Sequence, residues 1–394
     1  MLYSNYTTEL LGLKDVIVTD VKEKDSQIHV FVEPILQAQV CPACHHETKR
    51  THAYRMQLVK DLPLQGKHCI LHLRKRRYRC THCGSVFQEK LPFLQRYQRN
   101  TKRLISKIMY DYACEHSTVS IAKRNGISNG TAIRIFDHIS YPRPKLPQVL
   151  SIDEFKGNAG SRKFQSILTD PVHRRILDIL PSKNSENLIA YFLKFPLNER
   201  KQVQYLVMDM SLQFYGVMTS CFPNAEVVTD KFHVCRHITW ALERVRKAEQ
   251  KKFSDERRKY FKRSRWLLLS RQKNLNEDQS LQLENMLMLS PDLREAYWLK
   301  EVFYTFMDSK NLEEAKKNLR NWNLCIGVST LKEFQKCFEM INRWQQPILR
   351  AFSLPYSNGF TEGCNNRIKV LKRNCYGVRN FDRFRNRILH MMTA

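Results

Sequence analysis

The spacing of apolar and polar residues changes period several times along the chain. Over residues 15–33, "VIVTDV" and "QIHVFVEP" put alternate side chains on opposite faces, which predicts two short strands. "HCILHLRKRRYRC" has the same strand character. Residues 101–140 switch to helical spacing. There "TKRLISKIMYDYACEH" is amphipathic, and "STVSIAKRNGISNGTAIRIFDHIS" reads as two short helices around a turn. "YPRPKLPQ" holds three prolines in eight residues and is a linker over 141–148.

After the linker, buried strands alternate with helices. "QVLSIDEF", "FQSILTDP" and "RRILDIL" predict a three-strand meander, with a turn at Pro171-Val172-His173 and Asp170 as a turn residue. The helix "SENLIAYFLKF", the strand "VQYLVMDMS", the helix "LQFYGVMTSCF" and the strand "AEVVTDKFHV" follow. Three strands, then helix, strand, helix and strand, is the order of a ribonuclease-H-like mixed sheet. Residues 240–350 are helical throughout and hold all five tryptophans (Trp240, Trp266, Trp298, Trp322, Trp344), either as helical core or with one stacking on an unpaired base. The expected fold is multidomain α+β. It has N-terminal strands and a zinc ribbon over 1–95, a helix-turn-helix over 96–140, the ribonuclease-H-like sheet domain over 148–239 and 351–394, and an all-α insertion over 240–350.

Charge narrows the partner. Lys plus Arg number 66 against 38 Asp plus Glu, a net +28, which points to a polyanion, here double-stranded DNA. No run of 18 apolar residues predicts a membrane span, and "MLYSNYTTELLGLKD" has neither the basic nor the apolar region of a signal peptide. A cytoplasmic protein is expected. Its twelve cysteines are then thiols or metal ligands.

Cys41-x-x-Cys44 and Cys80-x-x-Cys83 are two knuckles suited to converge on one structural Zn²⁺. His45, His46 and Cys69 are substitute ligands. Arg74, Lys75, Arg76 and Arg77 between the knuckles are candidates for phosphate contact, against the alternative of a solvated basic edge. In the helix-turn-helix, Gly126 suits a positive φ and Ile127 anchors the turn. Ser128 is the expected cap of a second helix that offers Asn129, Thr131 and Arg134 to a groove.

Three acids carry the chemistry. Asp153 lies at the end of the first strand of the sheet domain and Asp209 at the end of the fourth. Glu362 arrives from a late helix in "NGFTEGCNNRIKVLKR". Alone, Glu362 would be a favourable first-turn charge. With the two aspartates it makes a site for two Mg²⁺ or Mn²⁺ ions, the set that hydrolyses and transesterifies phosphodiesters. Phe360, Cys364, Ile368, Leu371 and Cys375 form one apolar stripe of that helix. Glu362, Asn366, Lys369 and Arg373 fall on another face, so the basic groups would follow the acid along the DNA. Glu154 would point away from Asp153.

"SIDEF", "LVMDMS", "VVTDKFHVCRH" and "NGFTEGCNNRIKVLKR" together resemble the DDE transposases of bacterial insertion sequences. The order of zinc ribbon, helix-turn-helix and DDE domain is similar to that of the ISL-three family over nearly the whole chain. The resemblance implies recognition of terminal inverted repeats, metal-dependent cleavage, strand transfer, and a homodimer or larger assembly on DNA. It implies a triad of Asp153, Asp209 and Glu362. Asp230 and His233, in "DKFH", match a signature of related transposases, which makes Asp230 a rival for the second acid and His233 an auxiliary group. Two other functions stay open: a DNA-binding regulator with an inert sheet domain, and a different ribonuclease-H-like nuclease.

Overall fold

In the computed structural model, residues 9–114, 117–263 and 265–393 are described. The first eight residues of the stretch read for a leader lie outside these, as do Glu115 and His116 of the first helical stretch and Ser264 of the helical region. The chain divides into two units, one of residues 1–141 with 369–394 and the other of 142–368.

In the first unit, β1 (Val16–Lys24), β2 (Gln27–Pro34), β5 (Thr51–Leu64), β6 (Lys67–Arg79) and β7 (Val86–Gln88) form one sheet. The order is β1-β2-β6-β5, with β7 paired to β6. β5, at 14 residues, is a long strand that the sequence pattern did not announce. It turns into β6 through Gln65 and Gly66, both at positive φ (50° and 77°), the two-residue hairpin turn that matches strand twist. Val30, Val32, Val59, Leu71 and Leu73 fill the sheet core. The short hairpin β3 (Gln39–Val40) and β4 (Glu47–Thr48) carries the first cysteine knuckle, and the second lies between β6 and β7.

The helix-turn-helix follows as α1 (Lys102–Ala113), α2 (Thr118–Arg124) and α3 (Asn129–Phe136). Gly126 takes φ +62°, and a Cβ there would lie 2.8 Å from the His68 ring, so both conformation and space require glycine. Ile127 is buried in the turn, and Ser128 accepts a bond from the Thr131 amide, capping α3. These features agree with the local sequence chemistry.

The second unit is built on β8 (Val149–Lys156), β9 (Phe164–Asp170), β10 (Arg175–Leu180), β11 (Tyr205–Met208) and β12 (Glu226–Thr229). Their order is β10-β9-β8-β11-β12. The first three are the expected antiparallel meander, and β11 and β12 join in parallel. Asp170, fully buried, organises the meander turn by accepting from the amides of Val172 and His173. The helices α4 (Ser185–Phe192), α5 (Leu197–Lys201) and α6 (Leu212–Cys221) connect the strands.

From Lys231 to Arg350 every described regular element is helical. These are α7 (Lys231–Glu249), α8 (Asp255–Arg263), α9 (Arg265–Leu269), α10 (Glu277–Met288), α11 (Pro291–Met307), α12 (Leu312–Gly327), α13 (Lys332–Arg343) and α14 (Gln345–Arg350), with short 3₁₀ turns between. The helical run thus begins nine residues before the expected 240, because Asp230 caps α7 directly after β12. Leu150, Ile152 and Met208 of the sheet share one apolar core with Phe303, Trp322 and Ile341 of the helices. Of the tryptophans, Trp322 and Trp344 are core, whereas Trp240, Trp266 and Trp298 are about half exposed.

The last elements are α15 (Gly359–Asn374) and α16 (Phe381–Thr393). The sequence reading placed α16 with the sheet domain, but it packs in the first unit. Phe384, Ile388 and Leu389 are buried there, and the Arg387 guanidinium lies 4.3 Å from the centre of the Tyr112 ring. Arg383 forms a two-pronged ion pair with Asp137. Arg383 and Arg387 are therefore committed to packing.

Candidate active site

The acids meet because two parallel strands and one helix end are held in register. Val207 pairs with Ser151, so two residues further on Asp209 comes level with Asp153. Met208 pairs with Thr229, which brings Asp230 level with Asp209 on the other side. Glu362, in the first turn of α15, is fixed by a buried polar network. The Ser151 hydroxyl donates to Asn358 Oδ1 and lies 2.9 Å from Thr361 Oγ1, which is itself 2.7 Å from Thr169 Oγ1. All four residues are fully buried. Such groups are costly to bury unless satisfied, so the network admits one docking of α15 on β8 and β9.

One turn beyond Glu362, Asn365 donates from Nδ2 to Asp153 Oδ2 at 2.8 Å. Asp153 also accepts from the Glu154 amide at 2.7 Å. No cation pairs with Asp153 among the described residues. Burial, aided by the negative charges of Asp209 and Glu362, pushes its carboxyl up to about 7. Burial also raises Asp209, against the pull of His233 and Arg236. Glu154 is turned to an ion pair with Lys183 at 2.5 Å, as its alternate position in the strand requires.

Asp230 is used differently. One carboxylate oxygen accepts from the Phe232 amide at 2.7 Å and the other from the Asn358 amide at 2.5 Å. It caps α7 and ties the lead-in of α15 to β12. His233, one turn into α7, has Nε2 3.2 Å from Glu362 Oε1, close but off the axis of a hydrogen bond, so Nε2 keeps no aligned partner. Arg236 donates from Nη2 to His233 Nδ1 at 2.8 Å. A guanidinium cannot accept, so the neutral ring carries its hydrogen on Nε2, facing Glu362. Ser151, Thr169, Asn358, Thr361, Asn365 and Arg236 are the members of this site that the sequence reading did not single out. Asn358 and Asn365 were visible as the asparagines at −4 and +3 from Glu362.

The residues present fit divalent cations. The charges of Asp209 and Glu362 act on Asp153, which is buried with no counter-charge, and Asn365 Oδ1 is buried without a partner. Hard oxygen donors of this kind favour Mg²⁺ or Mn²⁺. The acids are spread more widely than a single-ion cage. Among the described residues, only Cys41, Cys44, Cys80 and Cys83 bring ligand atoms within 4.8 Å of one another. That quartet suits tetrahedral zinc, with Sγ pairs at 3.6 Å (Cys41–Cys83) and 3.5 Å (Cys44–Cys80). Cys69 lies instead in the sheet core, and His46 stacks on His82.

The expected DNA contacts divide. Ser128, Asn129, Arg134, Asn366, Lys369 and Arg373 are exposed, and Thr131 is half-buried. Arg77 is exposed, and Arg74 pairs with Glu33 at 3.3 Å. Lys75 donates to Gln57. Arg76 is buried, with its guanidinium on Glu33, Glu89 and the Pro34 carbonyl, so it holds the sheet together and faces no partner.

Comparison with known proteins agrees with this layout. The family model for the DDE domain of ISL3 transposases matches residues 150–388. The zinc-finger model of the transposases IS204/IS1001/IS1096/IS1165 matches 37–83, and the helix-turn-helix model of transposase family ISL3 matches 89–140. The transposase for insertion sequence element IS1001 of Bordetella parapertussis is 26% identical over 366 residues, 91% of this chain and 89% of that protein. The transposase for insertion sequence element IS1557 of Mycobacterium tuberculosis is 23% identical over 257 residues, 59% of this chain and 57% of that protein. No described helix is long and apolar enough to cross a membrane.

Proposed function

The chain belongs to the ISL3 family of insertion-sequence transposases, and from that premise we propose that Asp153, Asp209 and Glu362 are its catalytic triad. They would hold two divalent cations and act on the phosphodiesters at the ends of the element. The β10-β9-β8-β11-β12 order supports a ribonuclease-H-like sheet, with the helices after β12 as an insertion. The observation that carries the proposal is the shared helix. The α15 segment that presents Glu362 also delivers Asn365 to Asp153, so the distant acids depend on one docking.

When bound, the ions would supply Lewis acidity at the scissile phosphate. The protein's own part is orientation. Asn365 aims the Asp153 carboxylate, the Ser151–Asn358–Thr361–Thr169 network fixes Glu362, and Arg236 sets the His233 tautomer. Asp209 is preferred to Asp230 because both Asp230 oxygens already accept backbone amides. The zinc ribbon and helix-turn-helix would bind terminal inverted repeats of double-stranded DNA, and joining two ends calls for at least a homodimer. This work would take place in the bacterial cytoplasm, at the nucleoid.

The test is an oligonucleotide that carries the repeats flanking the gene, incubated with Mg²⁺ or Mn²⁺. Wild type should nick at the repeat end. Asp153→Asn and Glu362→Gln should bind the same duplex without nicking. Nicking that survives either change removes that residue from the triad, and binding without nicking by wild type supports a regulator instead.

A further inference from the structure

A groove of about 660 Å³ opens in the first unit between the β5–β6 hairpin and the helix-turn-helix. Arg55, Lys75 and Arg77 line it from the hairpin, Arg99 from the segment entering α1, and Ser128 and Thr131 from the start of α3. No Asp or Glu is among its lining residues. Arg55, Arg77 and Arg99 are exposed, and their side chains make no ion pair among the described residues.

The strand register makes this cluster more than a basic surface. Arg55 lies directly opposite Lys75 across the hairpin. Like charges in that position destabilise a strand pair, and Arg77 adds a third cation two residues on. Burial and the Arg55 charge hold the Lys75 ammonium below its ordinary value, against the pull of Glu89. An anion in the groove relieves this repulsion.

The two walls are also locked together. The Lys60 amide donates to Arg99 O at 2.8 Å and the Thr101 amide to Lys60 O at 3.0 Å. Buried Asp61 accepts from the Thr101 hydroxyl at 2.6 Å and from Arg103 Nε at 2.8 Å. The Lys60 ammonium donates to Gly126 O in the helix-turn-helix turn, and His68 Nε2 lies 2.9 Å from Lys123 O.

We propose that this groove is a phosphate track for the same DNA duplex that the helix-turn-helix reads, so that hairpin and α3 grip one continuous stretch as a single body. The proposal rests on the transposase reading above. Long exposed guanidiniums aimed at a backbone supply affinity without sequence preference, whereas base discrimination stays with α3.

The test titrates the full chain with a repeat-bearing duplex and a scrambled duplex across a range of salt. The variant is R55Q/R77Q/R99Q, with R55K/R77K/R99K as its charge-conserving partner. Loss of three phosphate contacts should lower the slope of log K against log salt by about 2.7, at about 0.9 each. Binding should weaken equally on both duplexes, so their ratio is unchanged, and the lysine variant should restore the slope. An unchanged slope in the glutamine variant overturns the track, and so does a ratio that collapses while the slope holds. Wild-type protein that binds no duplex would instead defeat the transposase reading. Zinc content and melting temperature, equal in all three proteins, separate these outcomes from misfolding.

Discussion

Replacing Asp153 by Asn should abolish cleavage and at the same time stabilise the metal-free protein at high pH. In the folded chain the Asp153 carboxyl is pushed from 3.8 up to about 7, chiefly by burial and then by Asp209 and Glu362. In the unfolded chain it ionises near its ordinary value. Between pH 4 and 7 folding therefore takes up a proton, and stability falls as pH rises through that window, levelling off above it. The full penalty is roughly 4 kcal/mol, at about 1.4 kcal/mol per tenfold shift in ionisation. Asparagine removes the charge but has one oxygen to accept from both the Glu154 amide and Asn365, at a cost of about 1 kcal/mol. The variant should thus be about 3 kcal/mol more stable than wild type at pH 8 and about 1 kcal/mol less stable at pH 4, with curves that cross in between. All five tryptophans lie within 142–368, so urea unfolding followed by tryptophan fluorescence reports on the sheet unit. The buffer should hold no added Mg²⁺ or Mn²⁺, since bound cations would compensate the same charge. Parallel pH profiles for the two proteins would refute the argument that Asp153 is a buried, uncompensated carboxyl.

Asn365→Ala should leave repeat binding intact and raise the Mn²⁺ concentration needed for half-maximal nicking by roughly tenfold to a hundredfold, the range for partners that orient metal ligands. A metal titration of nicking checks this, and an unchanged requirement would remove Asn365 from the site. Thr361→Val should cost about 1–3 kcal/mol in urea unfolding, because it takes the Thr361 hydroxyl from the buried Thr169 hydroxyl, whereas Ser151 keeps its bond to Asn358. Arg236→Met frees the His233 ring to change tautomer and should slow nicking without weakening repeat binding, whereas equal rates would remove Arg236 from the site. Cys41→Ser or Cys80→Ser should lower bound zinc by elemental analysis and weaken repeat binding in a gel shift, with the sheet unit still folded by fluorescence.

Much of the molecule could be read from short-range chemistry. The two CxxC knuckles, the Gly126 turn, the Ser128 cap and the strand alternation around Asp153 each depend on residues only a few positions apart, and local spacing specifies such features. The nature of the three acids was legible for the same reason. Their approach was expected from strand order, but the contacts that hold it were not legible, because they join hydroxyls and amides about 200 residues apart, in β8 and α15, that satisfy one another only when folded. The sequence left Asp209 and Asp230 as rivals, and the backbone amides that reach both Asp230 oxygens, on which our preference for Asp209 rests, were hidden in it. Arg76 looks like a DNA contact in a basic run, yet burial beside Glu33 and Glu89 decides its use. Sequence alone determined which chemical groups this protein carries. Tertiary structure decided which of them meet, because a buried charge or hydroxyl takes its meaning from partners that the chain order does not adjoin.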